Sequence, residues 1–487
     1  MRVRIVLHYL GLLIATLGIF MLLPLGFSLF YGEPDYLAFA ISIGLSVVPG
    51  LLLWRLTPIG EGRLSRREAI MLVAGGWIFA SALGALPYIL AGTFQSYLNA
   101  YFEAMSGFTT TGATVLASIE SQPHGILLWR SLTQWLGGMG IITLFVALFP
   151  IFGIGAAHLV EAEVPGPQAE RLTARIQDTA KALWLLYFGF TGLEILLLWL
   201  AKMPLFDALA VTFSTMPTGG FTPTTLSIGA YNSPLIEGIV ILFMVIAGVN
   251  FGLYYFLLWK RQVGRLFSNS EFRLYIALLI GACLFIALNL INSMGLSIGE
   301  AFRYSSFQAV SIMTTTGFVT TNFGAWPAFA KSALLILMVI GASAGSTGGA
   351  LKVTRLLVLF KYAYRRILLF FNPRAVIPLK VGGNVLSERV VSGIIGMSIL
   401  YFAILIVGFL IMSAVGREAG MDQITALSSI AATLGNVGPG LGLVGPTANY
   451  LWIPAGGKIV LIICMLVGRL ELFTVLALLM PSFWKWR

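Results

Sequence analysis

Apolar runs of two lengths alternate along the chain. The long ones fall at 5–30, 36–54, 69–92, 125–150, 180–202, 234–259, 273–294, 328–362, 389–414 and 453–480. Each is long enough for a bilayer-crossing helix, which needs about 20 apolar residues. Shorter runs lie at 98–110, 206–217, 300–315 and 421–433, one between the members of each later pair. With 12 to 16 residues they predict helices of about 18–24 Å, less than the hydrocarbon core of about 30 Å. Each short helix is therefore expected to enter the membrane and return on the same side. The pattern predicts an all-α membrane protein of ten transmembrane helices. A two-helix extension (1–60) precedes four helix–pore helix–helix (M1-P-M2) repeats at 61–178, 179–270, 271–387 and 388–487, the third with a broken second helix.

Composition agrees with this reading. Apolar residues make up 58% of the 487 and charged ones 10%, against roughly 25% charged in soluble domains. No stretch is left over for a separate soluble domain. The formal charge of +11 would by itself admit a nucleic-acid partner, but its distribution reads as an orientation signal and makes one unnecessary. Basic residues gather between spans on one side, as at Arg55, Arg63, Arg66 and Arg67, at Arg171 and Arg175, and at Lys361, Arg365, Arg366, Arg374 and Lys380. Of 30 basic residues, 23 fall on that side, so both termini are expected to be cytoplasmic. The first apolar run exceeds a signal peptide's core of about 7–15 residues and reads as a spanning helix. Cys283 and Cys464 sit inside apolar runs and read as packing residues.

The short runs end alike, in Thr109-Thr110-Thr111-Gly112-Ala113-Thr114, Pro217-Thr218-Gly219-Gly220-Phe221-Thr222, Thr315-Thr316-Gly317-Phe318-Val319-Thr320 and Thr433-Leu434-Gly435-Asn436-Val437-Gly438. Gly112, Gly219, Gly317 and Gly435 align at spacings of 107, 98 and 118 residues. Non-helical backbone at membrane depth must be buried in protein or line a watery cavity. Four such returns around one axis would form rings of carbonyl oxygens able to replace a cation's water, with glycine permitting positive φ. Oxygen-only ligands suit a hard alkali ion. The competing reading is close helix packing through glycine. The third repeat's second helix is also interrupted by a glycine-rich stretch, 341–350, read as an intramembrane break or a packing kink. Arg469 lies near the middle of the last apolar run. It faces the pore and repels cations, or it bonds helix ends between repeats.

Together, TTTGAT, PTGGFT, TTTGFVT, TLGNVGPG and the stretch Gly345-Ser346-Thr347-Gly348-Gly349 resemble the Trk/Ktr/HKT superfamily of potassium transport proteins. The two extra N-terminal helices make the resemblance strongest to the bacterial TrkH/TrkG membrane subunits. That resemblance implies a filter of backbone oxygens at Thr110, Thr111 and Gly112, at Pro217, Thr218 and Gly219, at Thr315, Thr316 and Gly317, and at Thr433, Leu434 and Gly435. It implies a gate formed by Gly345, Ser346, Thr347, Gly348 and Gly349 with Arg469. It further implies a homodimer in the bacterial inner membrane and a peripheral TrkA-like subunit that binds NAD(H) or adenine nucleotides. No cofactor is expected in this chain, and potassium is the expected substrate. A secondary transporter coupling potassium to sodium or protons is the alternative. An enzyme is not expected, since no catalytic constellation lies at mid-membrane.

Overall fold

The computed structural model describes residues 2–58, 64–140, 176–382 and 384–485. Residues 141–150 of the helix expected at 125–150, and Arg63, Arg171 and Arg175, lie outside the described residues. Among the described residues the regular secondary structure is helical apart from one hairpin, Lys380–Val381 against Asn384–Val385.

At the N-terminus, the helix Val3–Phe20 lies against Tyr36–Leu56. Gly11 faces Gly50 so closely that a β-carbon on either would come within 3.0 Å of the other's carbonyl, the small-residue contact expected where lipid supplies no hydrophobic driving force. Arg2 then ties this pair to the next helix, Arg66–Gly84, by an ion pair to Glu68 (3.1 Å). Glu68 also closes a capping box with Ser65.

Four long helices each lead into a short one. Arg66–Gly84, continued by Leu86–Leu90, precedes Tyr97–Phe108; Ile176–Leu200 precedes Leu205–Thr215. Ser270–Met294 precedes Ile298–Met313, and Glu388–Val415 precedes Gln423–Leu434. A second helix follows each short one: His124–Gly138, Pro234–Ala247, Ala328–Ile340 and Ala455–Arg469. All four start at a proline, Pro123, Pro234, Pro327 or Pro454, whose fixed φ and missing N–H cost nothing at a helix start. The short helices are the buried centre, while Leu185, Phe188, Ile280, Phe285 and Ile399 on the long ones point outward.

These second helices depart from expectation. The run 234–259 is not one helix: it bends by 96° between Pro234–Ala247 and Phe251–Leu258. There the Asn250 side chain caps the new helix at Gly252 N (2.8 Å), and Phe251 N–H donates to Gly345 O (3.0 Å). The run 453–480 bends by 120° between Ala455–Arg469 and Leu472–Leu479, pivoting on Glu471 at φ +59°. The third of these helices stops at Ile340 and resumes only at Val353–Phe371. Among the described residues, six helices are long and apolar enough to cross a membrane, or eight if each bent pair is one span.

Candidate functional site

All four short helices end in the same hydrogen-bonded turn. One residue takes the left-handed conformation: Thr110 (φ +54°), Thr218 (+57°), Thr315 (+62°) and Asn436 (+53°). Its N–H donates three residues back, to Gly107, Thr215, Ile312 and Thr433 O, and the next N–H donates five back, to Ser106, Ser214, Ser311 and Ala432 O. That is the Schellman helix end, which normally carries glycine at the left-handed position. Threonine there is a steric outlier, a strain of about 1–3 kcal/mol that persists only where the surroundings enforce it. Two residues on, Gly112 (+78°), Gly220 (+84°), Gly317 (+82°) and Gly438 (+98°) are again positive. With the N–H groups committed to the helix end, the turn carbonyls face the other way. Among the described residues, those of Thr110, Thr111, Thr218, Thr315, Thr316, Asn436 and Val437 accept no hydrogen bond.

The turns close a ring. A β-carbon on Gly112 would meet Gly219 O, one on Gly220 would meet Thr316 O, one on Gly317 would meet Val437 O, and one on Gly438 would meet Thr111 O. Every one of these approaches is under 3.0 Å, closer than real β-carbons come. The same four glycines line one cavity of about 140 Å³, room for several waters at about 10–15 Å³ each.

This geometry corrects the sequence register in two turns. Gly220, not Gly219, and Gly438, not Gly435, match Gly112 and Gly317. Pro217, Thr433, Leu434 and Gly435 therefore sit in helix ends rather than in the ring. Pro217 has no N–H to donate, so its turn starts one residue later. Gly435 is still right-handed (φ −80°) at the end of Gln423–Leu434. Thr110, Thr111, Gly112, Thr218, Gly219, Thr315, Thr316 and Gly317 are brought together.

The interrupted stretch 341–352 lies directly against the second, third and fourth of these turns. Gly349 N–H donates to Thr315 Oγ1 (2.9 Å), and a β-carbon on Gly348 would sit 3.0 Å from Thr314 O. Thr347 Oγ1 donates to Met216 O (3.0 Å). Gly345, Ser346, Gly348 and Gly349 line a second cavity of about 80 Å³, together with Lys352 and Arg469, that shares no residue with the first. Arg469 both lines this cavity and bonds helix ends, so the two sequence readings are not exclusive. Its guanidinium donates to Thr347 O (2.7 Å) and to Gly137 and Gly138 O (2.6 Å each). Glu471 pairs not with Arg469 but with Arg355.

A family model for TrkH, described as a cation transport protein, matches residues 38–486. The chain belongs to the TrkH family. It is 39% identical over 492 residues, with all of both chains covered, to the Trk system potassium uptake protein TrkH of Salmonella typhimurium. To the Trk system potassium uptake protein TrkG of Escherichia coli it is 32% identical, over 99% of each chain. Its fold matches the crystal structure of the potassium transporter TrkH from Vibrio parahaemolyticus with a TM-score of 0.89, at 36% identity and with both chains fully covered. These relatives are named as transport proteins rather than enzymes, and the chain is a multi-pass, mostly helical membrane protein of that family.

Around the ring of this TrkH-family chain stand side chains that the sequence reading passed over. Arg130, 2% exposed, pairs with the fully buried Glu103 (2.9 Å) and stacks on Phe221 at 4.2 Å. Glu103 accepts from Val115 N–H and Thr114 Oγ1 (each 2.9 Å), while Arg130 donates to Thr222 O (3.3 Å). Gln134 brackets the second turn, donating to Gly219 O (2.7 Å) and accepting from Phe221 N–H (3.0 Å). Asn436 Nδ2 reaches Thr111 Oγ1 (2.9 Å), and Tyr450 OH donates to Gly438 O (2.7 Å). The available signal was a lone arginine in an apolar helix, since a buried charge must find a partner.

Proposed function

We propose that the chain carries potassium into a bacterial cell through a gated, channel-like pore in the inner membrane. The ring is its selectivity filter, and 345–349 with Arg469 is its gate. The observation that carries this reading is the closed ring of four turns, in which the buried carbonyls of Thr110, Thr111, Thr218, Thr315, Thr316, Asn436 and Val437 lack hydrogen-bond partners among the described residues. A buried carbonyl without a partner is costly, and a dehydrated cation removes that cost. Oxygen ligands alone favour a hard, singly charged ion over a transition metal. On the corrected register the ligands are backbone oxygens of 110–112, 218–220, 315–317 and 436–438. Threonine hydroxyls stand at three of the four left-handed positions.

Ions then run down their gradient. An inside-negative potential adds about 2.3 kcal/mol per charge for each 100 mV. The gate reading draws support from the contact of 348–349 with Thr314 and Thr315 and from the fixed charge of Arg469 beside it. Ten spans in four repeats, cytoplasmic termini and a homodimer belong to the same proposal. So does a TrkA-like NAD(H)- or nucleotide-binding partner docking near Lys361, Arg365, Arg366, Arg374 and Lys380. The chain itself holds no cofactor in this scheme.

Rubidium uptake by potassium-requiring cells that lack their own uptake systems tests the activity. Unitary currents in planar bilayers test the mechanism. Uptake in fixed stoichiometry with sodium or protons, without unitary openings, would instead make the chain a coupled carrier.

A further inference from the structure

The four seams of the ring are not bonded alike. Between the first and second turns, Gln134 and Arg130 reach across to Gly219, Phe221 and Thr222. Between the second and third, Gly229 N–H donates to Val319 O (3.1 Å) and Val319 N–H to Ser227 Oγ (3.2 Å). Between the fourth and first, Asn436 bonds Thr111, and Tyr450 N–H donates to Thr114 O (2.8 Å). Between the third and fourth, no hydrogen bond among the described residues joins 298–326 to 423–452. Gly317 only packs there, against Val437 and Pro439.

What spans that seam is the interrupted stretch. Gly349 N–H holds Thr315 Oγ1 on the third turn (2.9 Å). On the other side, Gly349 lies so close to Gly435 O and Asn436 that a β-carbon would have no room. Two residues earlier, Thr347 O takes the Arg469 guanidinium of the fourth repeat (2.7 Å). The hydrogen-bonded path from third turn to fourth repeat therefore runs through 347–349.

We propose that this stretch is a structural member of the filter as well as its gate, with Gly349 and Thr315 as specificity-determining residues. The inference rests on the filter reading above. With the stretch seated, all four seams are tied and the ring holds one width. With it withdrawn, the third–fourth seam keeps only packing contacts, and the third turn relaxes. Potassium-over-sodium discrimination is then weaker in the conducting state than the geometry of the seated ring allows.

The test is the potassium-to-sodium permeability ratio of the full chain in planar bilayers, from reversal potentials under bi-ionic conditions. Thr315→Val removes the acceptor and is expected to lower the ratio about three- to tenfold, the worth of one such hydrogen bond. Thr315→Ser, which keeps the hydroxyl, restores it. Thr110→Val removes the matching hydroxyl from the first turn, where no stretch is bound, and is expected to change the ratio less. Equal losses from Thr110→Val and Thr315→Val would overturn the inference and leave the filter standing, because the hydroxyls would then act on the ion directly. Should Thr315→Val fail to reach the membrane, Arg469→Gln cuts the stretch's hydrogen bond to the fourth repeat and leaves every ring residue in place. It is expected to raise conductance and lower the ratio together, and a raised conductance at unchanged ratio would refute the proposal. If Gly317→Ala also leaves the ratio untouched, the filter reading itself is what fails.

Discussion

Gly317→Ala puts the ring to its most direct test. The added methyl would point at Val437 O and lie 2.8 Å from Pro439 Cδ. An ordinary carbon–oxygen contact is about 3.3–3.6 Å, so one of the two turns must retreat by roughly 1 Å. Val437 cannot retreat freely, since its N–H is fixed to Ala432 O at 2.7 Å. Alanine at φ +82° also costs about 1 kcal/mol by itself. A combined strain of about 1–3 kcal/mol falls on the backbone that would have to contract around an ion. It corresponds to a loss of roughly fivefold to a hundredfold in ion affinity or discrimination. The assay is competitive rubidium and sodium flux into proteoliposomes, normalised to protein in the membrane. Gly393→Ala serves as the control, because nothing lies within 4 Å of the β-carbon it would add. A Gly317→Ala protein at normal abundance with an unchanged flux ratio would refute the reasoning.

The corrected register makes its own prediction. Gly220→Ala and Gly438→Ala should impair selective flux as Gly317→Ala does, whereas Gly435→Ala, right-handed and outside the ring, should impair it less in the same assay. Arg130→Met should destabilise the protein by about 3–5 kcal/mol, the cost of stranding a buried charge. Adding Glu103→Gln should recover part of that loss in thermal unfolding, and a single variant as stable as the parent would show the pair to be idle. Arg469→Gln should raise basal rubidium leak by freeing Thr347 O. Arg469→Lys should leak to an intermediate degree, since one ammonium cannot serve Thr347, Gly137 and Gly138 as the planar guanidinium does.

Chain pattern alone determined the alternation of long and short helices. Lengths of apolar runs separated long helices from half-length ones, and the glycine-rich stretch at 341–350 announced a break. These are local properties, fixed by backbone propensity and by what a membrane tolerates. Tertiary structure decided the ring and everything bonded to it. Adjacent glycines at 219 and 220, and alternatives at 435 and 438, cannot be ranked by spacing. The left-handed position is defined by which N–H groups return to the helix end, and threonine, or asparagine in the fourth turn, occupies it where glycine would have flagged it. The bend at Ala247–Phe251 depends on Gly345, nearly a hundred residues away, and the three carbonyls that hold Arg469 come from two distant segments. Such contacts arise where the four turns meet in a ring, and a one-dimensional periodicity carries no record of which turn meets which.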